Sequence, residues 1–98
     1  MSRVAVVTGG NRGLGEAIAL LAAERGYDVC ITFRQDAARA ERVLDALRKH
    51  GGRAIAVRAD VGNEADVVRT FEQVDRELGR IDALVNNAGL FAALPWMN

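Results

Sequence analysis

The sequence predicts one domain of the α/β class, in which a parallel β-sheet carries helices on both faces. Its 98 residues are 50% hydrophobic and 27% charged, which is the length and composition of a single globular domain. Four short runs rich in β-branched residues alternate with three runs that have helical periodicity. Because strands and helices that alternate in this way form right-handed βαβ crossovers, the strands are expected to be parallel.

The first strand and the first helix flank a glycine-rich loop. Arg3–Thr8 is nearly continuous in β-branched and apolar residues, which predicts a strand buried on both faces. A helix is predicted from about Gly13 to Arg25, and Gly26 ends it because glycine is favoured just past a helix end. Four residues of this helix are predicted to face the core: Leu14, Ile18, Leu21 and Ala22.

The second strand and the second helix follow in the same order. Asp28–Phe33 is predicted to be a strand, with Cys30 as a small core residue within it. Asp36 is a preferred N-cap residue for the next helix, and the pair Gly51 and Gly52 closes that helix. The buried stripe of the helix is predicted to consist of Ala40, Val43, Leu44 and Leu47.

The last strand–helix–strand segment completes the predicted sheet. Arg53–Arg58 is the third strand, and Ile81–Val85 is the fourth. Between them, Asn63 is expected to cap a third helix that ends at Gly79. The buried stripe of that helix is predicted to consist of Val67, Val68, Phe71, Val74 and Leu78.

Charge and cysteine content exclude several classes of protein. Lys plus Arg and Asp plus Glu are 13 each, so the net charge of zero disfavours a nucleic acid or an anionic membrane as partner. Every apolar run is too short to span a bilayer. Cys30 is the single cysteine, which excludes an internal disulfide and fits the reducing cytoplasm.

The glycine loop is the first candidate binding site. Thr8–Gly15 contains four glycines and joins the first strand to a helix that lacks a Ser or Asp cap, so its unpaired N–H groups favour an anion such as phosphate. The spacing Gly-x-x-x-Gly-x-Gly differs from the dinucleotide fingerprint Gly-x-Gly-x-x-Gly. Glu16 stands where a P-loop requires lysine, which excludes that class of phosphate site.

Three motifs, each at the carboxyl end of a predicted strand, together resemble the N-terminal half of the short-chain dehydrogenase/reductase family. Thr8–Gly15 fits Thr-Gly-x-x-x-Gly-x-Gly, Asp60-Val61 follows the third strand, and Asn86–Gly89 reads Asn-Asn-Ala-Gly. The resemblance covers residues 1 to about 90. It implies a Rossmann-like parallel sheet of strand order 3-2-1-4, truncated after the fourth strand. It also implies an oxidoreductase that transfers hydride between a nicotinamide dinucleotide and a carbonyl or alcohol carbon.

The resemblance further implies a cofactor site built from these motifs. Asp60 is similar to the residue that accepts a hydrogen bond from the adenine amino group, with Val61 beside the ring; the alternative for Asp60 is a turn-forming aspartate. Asn87, Ala88 and Gly89 are similar to the segment along the ribose. The phosphates are expected at residues of the glycine loop: Gly9, Asn11, Arg12, Gly13, Leu14 and Gly15.

The residues after the second strand indicate which dinucleotide is bound. An NAD site carries an Asp or Glu near this position to bind the ribose 2′-hydroxyl. Here Arg34 follows the strand directly, and an arginine binds a 2′-phosphate. Asp36 is better explained as a helix cap, and Arg12 is a second cation within reach of the same phosphate. The sequence therefore favours NADP over NAD.

The catalytic residues of the family have no match in the sequence. The family uses a Ser and a Tyr-x-x-x-Lys pair, whereas this chain has one serine, one tyrosine and one lysine: Ser2, Tyr27 and Lys49. We therefore expect these 98 residues alone to be inactive and to belong to a longer enzyme. Residues 1–90 would form a partial dinucleotide-binding domain, and the apolar residues 91–98 a tail left by truncation.

Two other functions are compatible with a glycine loop. One is a free-standing nucleotide-binding module without catalysis. The other is a methyltransferase, which requires an acid at the end of the second strand and is disfavoured by Thr32, Phe33 and Arg34 there. The family resemblance implies a cytoplasmic, homo-oligomeric parent protein that acts on a small carbonyl or alcohol substrate.

Overall fold

The computed structural model of the chain describes residues 3–87, which form a four-stranded sheet with three helices and confirm the α/β class. The elements occur in the predicted alternation, and the predicted bounds of the first strand are correct. Along the chain they are β1 (Arg3–Thr8), α1 (Gly13–Glu24), β2 (Tyr27–Phe33), α2 (Ala37–Arg48), β3 (Ala54–Arg58), α3 (Glu64–Glu77) and β4 (Ala83–Asn86).

The sheet is parallel throughout, with the strand order β3-β2-β1-β4 that the family resemblance implied. Val6 in the central strand β1 pairs with Cys30 of β2 and with Leu84 of β4. All four strands therefore end at the same edge of the sheet. This edge receives the loops that begin at Thr8, Phe33, Arg58 and Asn86.

Strand β4 begins at Ala83, two residues later than predicted, because the preceding aspartate bonds to β1. The backbone N–H of Asp82 donates to the carbonyl of Val4 at 2.8 Å, and the Asp82 carboxylate accepts from the Val4 N–H at 2.8 Å. The Asp82 carboxylate thus accepts the hydrogen bond of a β1 N–H group that a backbone carbonyl next to β4 would otherwise accept.

Alternate residues of the strands supply two cores on opposite faces of the sheet. Val7 and Ile31 pack against α1 and α2, whereas Val6 and Cys30 pack against α3. The predicted stripe of α2 is confirmed, since Ala40, Val43, Leu44 and Leu47 are all buried. Across residues 3–87, no helix combines the length and hydropathy that crossing a membrane requires.

The predicted buried face of α1 was wrong in part. Leu14 and Leu21 are 69% and 48% exposed, and the fully buried positions are the small residues Gly15, Ala19 and Ala23. These lie four residues apart and so form one face. Small side chains on this face let the helix axis lie close to the sheet, which leaves the larger leucines at its flanks; Ile18 and Ala22 are partly buried there.

The predicted stripe of α3 is likewise confirmed only in its second half. Val74 and Leu78 are buried against the sheet, but Val68 and Phe71 are 50% and 38% exposed. Phe71 and Leu84 line an apolar cavity of about 220 Å³ beside β4. Val67, which is half-buried, lines the same cavity, whereas Val68 does not.

Both predicted helix caps are present. The Asn63 carboxamide oxygen accepts a hydrogen bond from the Asp66 N–H at 3.1 Å, and the Asp36 carboxylate accepts from the Arg39 N–H at 3.1 Å. Asp36 itself adopts a left-handed conformation with φ of 68°. Because only glycine, asparagine and aspartate enter this region readily, the identity of residue 36 fixes the turn between β2 and α2.

Candidate functional site

A cleft of about 500 Å³ lies at the carboxyl ends of the strands. Open parallel sheets bind their ligands at this edge. Seven of the residues predicted for the cofactor lie along the cleft: Gly9, Asn11, Arg12, Arg34, Asp60, Val61 and Asn87. Of the other predicted residues, Ala88 and Gly89 lie outside the described residues. Gly13, Leu14 and Gly15 form the first turn of α1.

The glycine loop forms one end of the cleft, through Gly9, Asn11 and Arg12. Arg12 is the N-cap residue of α1 and forms no side-chain cap hydrogen bond. The first helical bond runs from the Glu16 N–H to the Arg12 carbonyl, so the N–H groups of the first turn precede the helical ladder. Gly9 and Gly13 have φ of 65° and 58°, which only glycine adopts without cost.

Gly15 allows the start of α1 to pack against the loop. A Cβ built on Gly15 would overlap the carbonyl of Gly9 and the carboxamide of Asn87. Any larger residue would therefore push α1 away from the loop.

The ends of β1 and β4 are joined by a hydrogen-bond network around Thr8. The Thr8 hydroxyl donates to the Val85 carbonyl at 3.3 Å and lies 3.2 Å from the Asn86 carboxamide oxygen. It accepts from the Asn87 N–H at 2.9 Å, and Asn87 Nδ2 donates to the Gly9 carbonyl at 3.3 Å. The Asn-Asn motif thus fixes the start of the glycine loop.

Thr32, near the end of β2, fixes the same loop from the other side. Its carbonyl accepts from the Gly10 N–H at 3.1 Å, and its hydroxyl accepts from the Gly9 N–H at 3.3 Å. Thr32 was not among the site residues predicted from the sequence. The available signal was a hydroxyl in an otherwise apolar buried strand, next to its carboxyl end.

Two arginines lie in the cleft, and each faces a carboxylate. Arg34 Nη2 is 3.8 Å from Asp60 Oδ2, and Arg12 Nη2 is 3.7 Å from Asp36 Oδ2. The two arginine side chains are 69% and 64% exposed. At these exposures the ion pairs are weak, so both guanidinium groups are accessible to an anionic ligand.

Asp60 forms the side-chain turn that was the alternative prediction for this residue. Its Oδ1 accepts from the Gly62 N–H at 2.9 Å, which forms a side-chain turn. The same residue lines the cleft, together with Val61. The Asp66 carboxylate accepts from the Asp60 N–H at 2.9 Å and so fixes the position of Asp60.

Neither Cys30 nor Tyr27 is placed for chemistry in the cleft. Burial and the nearby charge of Glu77 raise the pKa of the Cys30 thiol to about 12, so it is unreactive at neutral pH. Tyr27 begins β2 and therefore lies at the opposite end of the sheet from the cleft. Residues 3–87 contain no group of three His, Cys, Asp or Glu side chains that could hold a metal ion.

Comparisons with known proteins identify the family. The model of the short chain dehydrogenase family matches residues 3–97. The oxidoreductase YgfF of Escherichia coli is 41% identical over 87 residues, which are 89% of this chain and 35% of that protein. A blue fluorescent protein from a metagenomic library, solved in complex with NADPH, is 41% identical with a TM-score of 0.85, over 96% of this chain and 39% of that one.

The chain spans about a third of the length of YgfF. It covers much more of a shorter relative, the short-chain dehydrogenase/reductase homolog YusS of Bacillus subtilis, to which it is 34% identical over 97% of this chain and 87% of that protein. The family match over nearly all residues, the strand order and the three motifs at one sheet edge agree. The chain therefore belongs to the short-chain dehydrogenase/reductase family.

Proposed function

We propose that this chain is the NADP-binding part of an oxidoreductase that, as a whole protein, transfers hydride between NADPH and a carbonyl or alcohol substrate. The observation that carries the cofactor assignment is the placement of Arg34 and Arg12 in one cleft, with an arginine in the first position after β2. The NADPH complex of the metagenomic relative supports the same assignment. Residues 1–90 would form the dinucleotide-binding unit.

The glycine loop is the proposed site of the cofactor pyrophosphate. The N–H groups of Gly13, Leu14 and Gly15 open α1, where the helix dipole favours negative charge. Gly9 and Asn11 line the cleft next to them. The loop is held in place before the ligand arrives: Thr32 accepts from the Gly9 N–H, Asn87 donates to the Gly9 carbonyl, and the Thr8 hydroxyl accepts from the Asn87 N–H.

Arg34 and Arg12 are the proposed partners of the ribose 2′-phosphate. A guanidinium donates two hydrogen bonds to a phosphate in a planar arrangement, which gives both affinity and orientation. Asp36 does not occupy the position of the NAD-selective carboxylate, because its side chain caps α2. The charge at the end of β2 is thus positive. This charge repels neither a 2′-phosphate nor a 2′-hydroxyl, but it binds only the phosphate strongly.

The remaining residues are proposed to hold the adenine and the ribose. Asp60 would accept a hydrogen bond from the adenine amino group, and Val61 would lie against the ring. Asn87 would contact the ribose, followed in sequence by Ala88 and Gly89. The bound cofactor would supply the hydride; the residues of this chain would orient it and would transfer no proton to the substrate.

Titration of the protein with NADPH and with NADH tests this function. We expect saturable binding of both, with a dissociation constant for NADPH at least tenfold lower, the factor that corresponds to about 1.4 kcal/mol. Equal constants would contradict the NADP assignment. Absence of binding to either dinucleotide would contradict the cofactor site itself.

The second candidate function is dinucleotide binding without catalysis. The observation that favours it is the lack of the family's Ser and Tyr-x-x-x-Lys set among these 98 residues. The two functions differ in one assay. Substrate-dependent oxidation of NADPH by the whole protein would exclude a pure binding module, and its absence would exclude the oxidoreductase; the 98 residues alone, which lack a positioned proton donor, are expected to bind without turnover in either case.

A further inference from the structure

We propose that Arg39, a residue of α2 outside the predicted site, is a positioning residue for the bound dinucleotide. Its side chain reaches from α2 to the glycine loop and to α1. The inference rests on the proposed function only for the class of ligand. Its physical basis is a set of contacts that determine where the loop lies and what charge surrounds it.

Three donors of Arg39 are used at once. Nε donates to the carbonyl of Asn11 at 2.7 Å, and Nη2 donates to Glu16 Oε1 at 2.8 Å. The backbone N–H donates to the Asp36 carboxylate at 3.1 Å. A rigid planar guanidinium with two short bonds defines the separation of α2 from the loop more narrowly than a flexible ammonium group would.

Asn11 completes the connection in the opposite direction. Its Nδ2 donates to the carbonyl of Gln35 at 3.0 Å and lies 3.4 Å from that of Asp36, and the residue is 5% exposed. The glycine loop is therefore held to the turn after β2 through the Asn11 side chain and to α2 through the Asn11 carbonyl. These two segments carry Arg12 and Arg34 along the cleft.

The contact with Glu16 adds an electrostatic function. Glu16 lies in the first turn of α1, where a carboxylate favours the helix but opposes a bound anion. Arg39 neutralises that carboxylate at 2.8 Å, and the two side chains are 40% and 27% exposed. Loss of Arg39 would release the Asn11 carbonyl and would also leave an unpaired negative charge near the phosphate site.

The test compares dissociation constants of the full-length protein and four variants for NADPH and for NADH. Because the pyrophosphate is common to both ligands, Arg39→Met is expected to weaken both about tenfold, equal to about 1.4 kcal/mol. Arg42→Met removes an exposed arginine of the same helix and is expected to change neither. Glu16→Gln alone is expected to bind the dinucleotides at least as tightly as the unmodified protein. The double variant Arg39→Met with Glu16→Gln is expected to recover about half of the affinity lost in Arg39→Met, on a logarithmic scale.

The free energy of unfolding of each variant separates a positioning function from a purely structural one, because positioning predicts that the loss of affinity and its rescue by Glu16→Gln occur in protein that is fully folded under the binding conditions. Arg39→Lys keeps the positive charge and replaces Arg39→Met in the test if that variant does not fold. Its dinucleotide binding is expected to be about threefold weaker, because one lysine cannot bond to both the Asn11 carbonyl and the Glu16 carboxylate. Amide hydrogen exchange at Gly13 and Leu14 is expected to accelerate in both Arg39 variants.

Several results would overturn the proposal. Unchanged dissociation constants in a folded Arg39→Met protein would do so, as would equal losses in Arg39→Met and Arg42→Met, or no rescue by Glu16→Gln. Tighter binding of NADH than NADPH by the unmodified protein would contradict only the cofactor assignment, and the effect of Arg39 would then be measured with NADH. Failure of both dinucleotides to bind would refute both proposals.

Discussion

Arg34 and Asp60 face each other in the cleft, with Arg34 Nη2 3.8 Å from Asp60 Oδ2. The pair connects the residue after β2 with the segment after β3. An exposed pair of this kind contributes about 0–1 kcal/mol, so a phosphate can take over Arg34 at small cost. Asp60 keeps its bond to the Gly62 N–H through Oδ1 and retains its position when Arg34 turns away.

Arg34→Asp is expected to reverse the cofactor preference. The substitution places a carboxylate directly after β2, where it repels a 2′-phosphate and accepts a hydrogen bond from a 2′-hydroxyl. Charge-assisted contacts contribute roughly 1.5–3 kcal/mol, so the NADPH dissociation constant should rise about tenfold or more while that of NADH falls. Fluorescence titration with both dinucleotides measures the change.

Arg42→Asp is the matched control for that substitution. Arg42 is exposed on α2 and does not line the cleft, so the same change of charge is expected to leave the ratio of the two constants unaltered. A similar shift in both variants would indicate an effect of net charge. A preference for NADPH that survives Arg34→Asp would contradict the assigned role of Arg34.

Gly15→Ala is expected to lower both stability and dinucleotide affinity. The new Cβ would overlap the Gly9 carbonyl, which is backbone and cannot rotate away, so α1 must shift. Overpacking of this kind costs about 1–3 kcal/mol of unfolding free energy. Gly26→Ala is the control: its φ of 91° makes alanine strained, but its Cβ would meet no neighbour within 4 Å. It should therefore destabilise the protein while leaving the dissociation constant of NADPH unchanged.

The sheet and the helix caps could be predicted from the sequence because local signals determine them. β1 is a continuous β-branched run between polar ends, and its bounds were correct. Asp36 and Asn63 are capping residue types at the right distance before an apolar stripe, and both accept the expected hydrogen bond. The strand order came from the family resemblance rather than from local pattern.

Side-chain contacts between distant segments could not be predicted in the same way. The exposure of Leu14 and Leu21 follows from close packing of α1, which hydrophobic periodicity does not encode. Arg39 reaches Asn11, 28 residues earlier, and nothing distinguishes it in sequence from Arg42 on the same helix. Such contacts depend on the separation of elements in space, which the sequence pattern leaves open.

Removal of the Arg53 side chain is expected to destabilise the fold strongly. Asp28 is 2% exposed, and Arg53 contacts its carboxylate through Nε and Nη2 at 3.2 and 3.0 Å. Arg53 also donates to the carbonyls of Glu77 and Leu78 at the end of α3. Because Arg53→Met leaves the buried Asp28 charge with fewer partners, we expect the free energy of unfolding, measured with a chemical denaturant, to fall by about 3 kcal/mol.

A double variant distinguishes this cause from lost packing. Asp28→Asn removes the charge that Arg53 compensates, so the double variant should be less destabilised than the sum of the single effects. The exposed Arg80 provides the control, and Arg80→Met is expected to change stability by less than about 0.5 kcal/mol. Strict additivity of the two single variants would contradict a coupled pair.

Alkaline pH is expected to destabilise the protein partly through Cys30. Burial raises the pKa of this thiol to about 12, whereas an unfolded thiol ionises near pH 8.5. Between these values only the unfolded state releases the proton, so unfolding becomes more favourable as pH rises, by up to about 1.4 kcal/mol per pH unit. Cys30→Ala lacks this contribution. The free energy of unfolding of the unmodified protein should therefore fall relative to that of Cys30→Ala between pH 8 and 10. A constant difference over that range would contradict the raised pKa.

Self-association of the 98-residue polypeptide, expressed alone, is expected to occur through the face beside β4. In the described sheet β4 is an edge strand, and edge strands offer unpaired backbone groups to another chain. Leu84 and Phe71 are 41% and 38% exposed along the same apolar cavity. Leu84→Lys and Phe71→Lys should each lower the weight-average mass in sedimentation equilibrium, because a charge on this face opposes its burial. Leu21, which is 48% exposed on α1, supplies the control, and Leu21→Lys should leave the mass unchanged. A monodisperse monomer of the unmodified polypeptide, with a cooperative thermal transition, would show that this face does not drive association.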